Sequence, residues 1–122
     1  MAEKEKIVYI LTHGAEDPER ASLPFVLASA AQVMEVEAVV ALQGTAVFLA
    51  KKGYLEHVLA AGLPPLKDLV QNFLNEGGKL LVCVPCIRER KISEADLIEG
   101  AALTAAAALT QEILSANATL VY

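Results

Sequence analysis

The two cysteines of this 122-residue chain lie three positions apart, in the stretch Cys83-Val84-Pro85-Cys86. Basic side chains follow at Arg88, Arg90 and Lys91. Cysteine reacts as its thiolate, and nearby positive charge or a helix N-terminus lowers the pKa of the thiol. The spacing therefore favours a catalytic role for Cys83, with Cys86 as a second catalytic candidate. The alternative is that both thiols only pack, since cysteine is among the most buried residue types.

A second group of polar candidates follows the first apolar run of the chain. In open parallel α/β sheets, ligands bind beyond the carboxyl ends of the strands. The first predicted strand delivers His13 and Gly14 to that edge, and the third delivers Cys83. We therefore expect His13, Gly14, Arg88 and Arg90 to form a ligand-binding region. Contact between His13 and Cys83 depends on the order of the strands, which the sequence leaves open.

The Cys-x-x-Cys spacing also occurs in metal and redox sites. A structural zinc site needs four ligands, and only His13 and His57 could complete a set with the cysteines. Their spacing does not indicate such a site, so we predict no bound metal, with a metal or redox site kept as an alternative. We expect no cofactor, because a phosphate-binding loop, a dinucleotide-binding glycine motif and a serine-hydrolase elbow are all absent.

Length and composition predict a single domain over residues 1–122. A net charge of −5 and the absence of tryptophan argue against nucleic acid as a partner. No tract reaches the roughly 18 apolar residues of a membrane helix, and the charged N-terminal residues 1–6 lack a signal-peptide core. We therefore expect a soluble cytoplasmic protein without a membrane partner, in which thiols stay reduced.

The elements that must position the candidate residues alternate between strands and helices. Asp17 and Pro18 resemble a helix cap, but Pro24 indicates that the helix either begins near Ser22 or is kinked. The alternation predicts a three-layer α/β/α sandwich with a mainly parallel sheet of about five strands. Strands are predicted at residues 7–11, 36–42, 79–83, 98–103 and 118–122, and helices at about 22–34, 66–74 and 104–117.

The order of these features resembles the DsrE/DsrF-like family, which includes the TusD sulfur-relay subunits. The similarity covers nearly the whole chain, and it implies an α/β/α sandwich whose subunits assemble into oligomers. The motifs that carry the resemblance are Thr12-His13-Gly14 after the first strand, Cys83 at the end of a central strand, Arg90-Lys91-Ile92, and Asp96-Leu97.

In characterised relay members, the cysteine matching Cys83 carries sulfur as a persulfide. The resemblance therefore implies a sulfur carrier or sulfurtransferase-type protein, a homo-oligomer with other sulfur-relay proteins as partners. Cys86 falls where relay members usually have another residue, and Lys91 replaces their usual glycine, so the resemblance assigns neither a role. The alternative is a non-catalytic ligand-binding or assembly module, with its pocket between His13 and the Cys83 loop.

Overall fold

The computed structural model describes residues 4–122, so the first three residues of the charged N-terminal stretch lie outside the described residues. Five strands form one sheet in the order β4-β3-β2-β1-β5, and every neighbouring pair is parallel. Helices lie on both sides, which confirms the predicted fold class. The strands are β1 (Lys6–Leu11), β2 (Glu37–Leu42), β3 (Lys79–Cys83), β4 (Ala101–Thr104) and β5 (Ala118–Val121).

Four α-helices and three short 3₁₀-helices connect these strands within residues 4–122. None of the helices in this part of the chain has the length and apolar character needed to cross a membrane. The α-helices are α1 (Pro18–Val33), α2 (Leu66–Asn75), α3 (Val84–Glu89) and α4 (Ala106–Leu114). The 3₁₀-helices are Gly44–Ala50, Leu55–His57 and Glu94–Asp96.

The central strands are apolar along their length because both of their faces are covered. On one face, the strand side chains pack with α1, α2 and Gly44–Ala50, and Phe25 meets Phe73 edge to face with ring centroids 5.5 Å apart. On the other face, α4 supplies the helical layer through Leu109 and Ile113. Alternate residues of each strand therefore enter two separate cores, as the pleat of a strand requires.

The start of α1 confirms the predicted cap. The Asp17 carboxylate accepts a hydrogen bond from the Arg20 backbone N–H at 3.2 Å, and Pro18 occupies the first turn, where its missing N–H costs nothing. The helix then runs through Pro24, so the expectation that it begins near Ser22 is wrong. Pro24 lacks the N–H for one intrahelical hydrogen bond, and α1 nevertheless continues through it to Val33.

The region around β4 differs from the prediction at both of its ends. The strand was expected at 98–103, but Ile98 donates its N–H to the Ala50 carbonyl and Lys51 pairs with Leu97 in an antiparallel bridge. Gly100, at φ 96°, then turns the chain into β4. Thr104 ends that strand, so α4 begins two residues later than expected.

Two lysines anchor α4 across its face of the sheet. The Glu112 carboxylate accepts hydrogen bonds from Lys79 Nζ at 2.9 Å and from Lys6 Nζ at 3.4 Å. These contacts, chiefly the one from Lys79, hold the pKa of Glu112 below its ordinary value although burial opposes the change. Because Lys6 begins β1 and Lys79 begins β3, one carboxylate fixes α4 over the amino ends of both strands.

Candidate functional site

Cys83 lies where β3 ends and α3 begins, since it is both the last strand residue and the residue that caps the helix. Pro85 falls in the first turn of α3, where proline is tolerated. That turn brings Cys86 back toward Cys83, and the two Sγ atoms lie 2.8 Å apart. Both thiols are free and half-buried, so the sequence spacing has produced a facing pair at the carboxyl edge of the sheet.

The Cys86 sulfur also contacts the neighbouring strand end. Gly44 begins the 3₁₀-helix that follows β2, and it donates its backbone N–H to Cys86 Sγ at 3.3 Å. At the other end of the short helix, Arg90 Nη1 donates to the Cys86 carbonyl at 3.2 Å. Sequence reasoning missed Gly44, for which the only signal was a glycine placed directly after the second predicted strand.

The electrostatics of Cys83 differ from the sequence-based expectation. Burial raises the pKa of the Cys83 thiol, and the adjacent Cys86 thiol raises it further. The Cys86 backbone N–H and the Arg90 charge lower the same pKa, but by less than burial raises it. Arg88 is exposed on α3. The basic residues therefore do not bring the pKa of Cys83 below its ordinary value as expected, because desolvation outweighs the charge of Arg90.

His13 lies in a hydrogen-bonded loop of its own. Its Nδ1 is 2.7 Å from Glu16 Oε2, and Gly14 donates its backbone N–H to Glu16 Oε1. Partial burial raises the pKa of Glu16, but the hydrogen bonds from His13 and Gly14 together hold it below its ordinary value. The His13 ring is therefore hydrogen-bonded to the Glu16 carboxylate of its own loop.

The strand order explains why His13 and Cys83 do not meet. β2 lies between β1 and β3, so the two strand ends are separated by two strand spacings, or about 10 Å. The register pairs Leu11 with Leu42 and Leu42 with Val82, which places all three strand ends at the same level. The structure brings both candidates to one edge of the sheet but leaves a strand between them.

The space beside the Gly14 Cα is occupied by neighbouring protein atoms and is not open to a ligand. A Cβ atom at this position would lie 2.8 Å from the Tyr54 hydroxyl oxygen and 3.2 Å from the Thr45 carbonyl oxygen. The Tyr54 hydroxyl also accepts the backbone N–H of Ala15 at 2.8 Å. The predicted ligand-binding glycine therefore allows the loop after β1 to pack closely on the segment after β2.

A cleft of about 480 Å³ lies away from the thiols, between α2 and the turn before β4. Neither His13 nor Cys83 lines it, so this cleft is separate from the pocket that the ligand-binding alternative predicts. Its lining includes Lys51, Lys67, Leu74 and Ile98. Within residues 4–122, no three histidine, cysteine or acidic side chains lie close enough together to hold a metal ion.

The sequence is similar to that of one described family and of two archaeal proteins. The model of the DsrE/DsrF-like family matches residues 5–122. The uncharacterized proteins MJ0760 and MJ0989 of Methanocaldococcus jannaschii are each 32% identical to the chain. The match to MJ0760 covers 79% of this chain but 35% of that protein, so the chain spans about a third of its length. The match to MJ0989 covers 80% and 82%, respectively.

The fold is shared with solved structures, and the two described next cover nearly the whole chain. The crystal structure of the ychN protein from E. coli superposes with a TM-score of 0.82 at 22% identity, covering 97% of this chain and 99% of that one. The protein of unknown function MTH1491 from Methanobacterium thermoautotrophicum gives a TM-score of 0.72 at 13% identity, covering 98% and 100%. At these identities the similarity shows the fold alone.

Proposed function

This chain belongs to the DsrE/DsrF-like family, and from that premise we propose that it carries sulfane sulfur as a persulfide on Cys83. One observation above all supports the proposal. The chain has only two cysteines, and the fold places both at the carboxyl end of one strand with their sulfurs 2.8 Å apart. Both cysteines are half-buried, and the proposal requires that a donor reach their sulfurs from the surface.

The loading step is a thiol exchange in which no net oxidation occurs. The Cys83 thiolate attacks the sulfane sulfur of a donor R–S–SH, the donor's S–S bond breaks, and R–SH leaves with a proton. The product is Cys83–S–SH. The rate depends on the fraction of Cys83 present as thiolate, because the thiolate is the nucleophile.

The raised pKa of Cys83 is consistent with a carrier whose thiol reacts slowly unless a specific donor is bound. A thiol that stays protonated near neutral pH reacts slowly with oxidants and with adventitious disulfides, because both reactions follow thiolate character. Loading then depends on a donor that presents its sulfane sulfur directly at the strand end. The same property separates this site from a fast-reacting redox dithiol.

Peptide mass spectrometry after incubation with inorganic polysulfide tests the proposal. Trapping with iodoacetamide should reveal one added sulfur atom on Cys83, and Cys83→Ser should abolish it. The Cys86→Ser variant is the matched control, since it removes the neighbouring thiol and leaves the loaded position intact. An absence of added sulfur on Cys83 in both the unaltered chain and the Cys86→Ser variant would overturn the assignment.

We also propose that the protein is a cytoplasmic homo-oligomer that exchanges sulfur with other sulfur-relay proteins. Free thiols support a reducing compartment. Support for assembly comes from α1 and its C-terminal cap, where Leu23, Leu27 and Met34 fall on one outer stripe and are 38%, 42% and 72% exposed, respectively. Light scattering on the eluting protein should give a multiple of the 12.9 kDa chain mass; a monomer at micromolar concentration would contradict this part.

A non-catalytic ligand-binding module is the second candidate, and the cleft between α2 and the turn before β4 favours it. Its lining combines two lysines with two glutamates, and one of these pairs is in contact, with Lys67 Nζ 3.3 Å from Glu56 Oε1. Leu74 and Ile98 add apolar surface. This function predicts that Cys83→Ser leaves the protein's cellular role intact. Sulfur carriage predicts the opposite, so one complementation experiment with Cys83→Ser separates the two functions.

A further inference from the structure

We propose that Cys86 is the resolving thiol of this site: it attacks the inner sulfur of the Cys83 persulfide, releases sulfide and leaves a Cys83–Cys86 disulfide. The inference rests on the proposed function, because it needs a loaded Cys83. It adds a fate for the bound sulfur and a state in which the carrier is switched off. Neither follows from the presence of a cysteine at the end of β3 alone.

Distance is the first observation that carries the inference. The two Sγ atoms are 2.8 Å apart, and a covalent S–S bond of about 2.05 Å would need less than one ångström of further approach. Cys83 caps α3 and Cys86 lies within its first turn, so the backbone already holds the attacking sulfur over its target. Such pre-positioned groups react as if the attacking thiol were present at very high concentration.

Hydrogen bonding also holds the second sulfur in position. The Gly44 backbone N–H donates to Cys86 Sγ at 3.3 Å, so the residue after the β2 end fixes that sulfur beside Cys83 Sγ. Cys83 has a backbone donor of its own in the Cys86 N–H, and burial outweighs that contact in the pKa of the Cys83 thiol. Cys83 ends β3 and Cys86 lies in the helical turn that folds back over it, and this arrangement assigns the attack to Cys86.

The step balances without any outside oxidant. Cys83–S–SH and Cys86–SH give the Cys83–Cys86 disulfide and H₂S. The Cys86 Sγ–Cys83 Sγ bond forms, the bond from Cys83 Sγ to the outer sulfur breaks, and the outer sulfur leaves with the bonding electron pair and both protons. The sulfane sulfur is reduced to sulfide while the two cysteine sulfurs are oxidised. A dithiol reductant must then restore both thiols before another sulfur is loaded.

Attack on the outer sulfur is the competing event, and its products differ. It would move the persulfide from Cys83 to Cys86, with no sulfide released and no disulfide formed. The observed contact joins Cys86 to the inner sulfur, the Cys83 Sγ atom, and this favours resolution over transfer. Intact mass separates the two events, because resolution removes the added sulfur and two hydrogens whereas transfer leaves the mass unchanged.

A pulse of inorganic polysulfide on the full chain, under argon and followed by rapid desalting, tests the inference. We expect the unaltered protein to pass from a persulfide to a disulfide while releasing one sulfide per loaded chain. Cys86→Ser should keep its persulfide on the order of 100-fold longer, because the intramolecular thiol is gone. Cys86→Ala gives a second version of the same variant, and dithiothreitol should return the unaltered protein to its loadable state.

Each result decides between the inference and the function beneath it. Equal persulfide lifetimes in the unaltered chain and Cys86→Ser, with no sulfide, would overturn the inference and leave sulfur carriage standing. Failure of both to load Cys83 would instead remove the proposed function. A disulfide that forms equally fast in a mock pulse without polysulfide would assign it to residual oxidant and overturn the inference. Loading of Cys83→Ser but not Cys86→Ser would reverse the roles and also overturn it.

Discussion

The ends of β1 and β3 occupy the same edge of the sheet, yet they are built in different ways. After β1, the His13 ring and the Gly14 N–H are both bonded to Glu16, and Tyr54 accepts the next backbone N–H. At the end of β3, two thiol sulfurs contact each other, and the backbone N–H groups beside them come from Gly44 and Cys86. The first loop uses its polar groups to hold its own shape, whereas the second leaves nucleophilic atoms available.

The segment after β2 connects these two regions. Thr45 lies against Gly14, and Gly44 donates to the sulfur of Cys86. One short 3₁₀-helix therefore supports a structural loop on one side and a reactive pair on the other. The difference teaches that a position at the carboxyl edge makes a residue a candidate, while the hydrogen bonds already made there decide whether it remains free to act.

The largest predicted effect contrasts the two strand ends directly. Cys83→Ser should lower sulfur uptake from polysulfide by at least about 100-fold, because the nucleophile is removed. His13→Ala should change uptake by no more than about twofold, since its ring is bonded within its own loop and lies a strand away. Initial rates measured by iodoacetamide trapping give both values. A tenfold loss in His13→Ala would show that the β1 loop takes part in the chemistry.

How far the sequence predicted this site depended on the kind of information required. The apolar runs predicted β1, β2 and β3, because a buried strand needs a continuous run of apolar residues. They also predicted β5, although this edge strand is mostly exposed. The order of the strands in the sheet has no such signal in the sequence, since strand pairing is decided by how loops and helices pack together. His13 and Cys83 were therefore placed correctly on one edge, and only the structure revealed the strand between them.

The direction that the sequence predicted for the Cys83 pKa shift was wrong for a related reason. Arg88, Arg90 and Lys91 are visible in the sequence, so their charge was given weight. Burial of a sulfur is a property of the folded neighbourhood and has no local sequence signal at a strand end. Desolvation proved to be the larger cause, and the charge of Arg90 only a minor one.

The pH dependence of alkylation is the next largest effect. Because the pKa of Cys83 lies above its ordinary value, its thiolate fraction should rise about tenfold per pH unit and should continue rising where a free cysteine, with a pKa of about 8.5, levels off. Localised mass spectrometry of iodoacetamide adducts between pH 7 and about 10 measures this, with glutathione as the reference. If alkylation of Cys83 levelled off at a lower pH than alkylation of glutathione, the Cys83 thiol would ionise more easily than a free thiol. That result would restore the sequence-based expectation.

A substitution that breaks the β1 loop should affect stability and spare the thiols. Gly14→Ala places a Cβ against the Tyr54 hydroxyl and the Thr45 carbonyl, so we expect a loss of about 1–3 kcal/mol in the free energy of unfolding. Urea denaturation measures it. In a Tyr54→Phe background the same change should cost less, because one of the two clashing atoms is gone. An unchanged midpoint for Gly14→Ala would mean that the loop has room to move.

The smallest expected effect concerns the helices that follow the two strands, α1 after β1 and α3 after β3. Both end on a residue in the left-handed region, Glu35 at φ 63° and Lys91 at φ 55°, where a side chain is strained and glycine is not. Glu35→Gly and Lys91→Gly should each therefore raise the free energy of unfolding by up to about 1 kcal/mol in urea titrations. Equal gains would mean that the two regions differ in the chemistry of their strand ends and not in how their helices stop. A loss of stability in Lys91→Gly alone would instead indicate that the Lys91 side chain supports α3, and with it the position of Cys86.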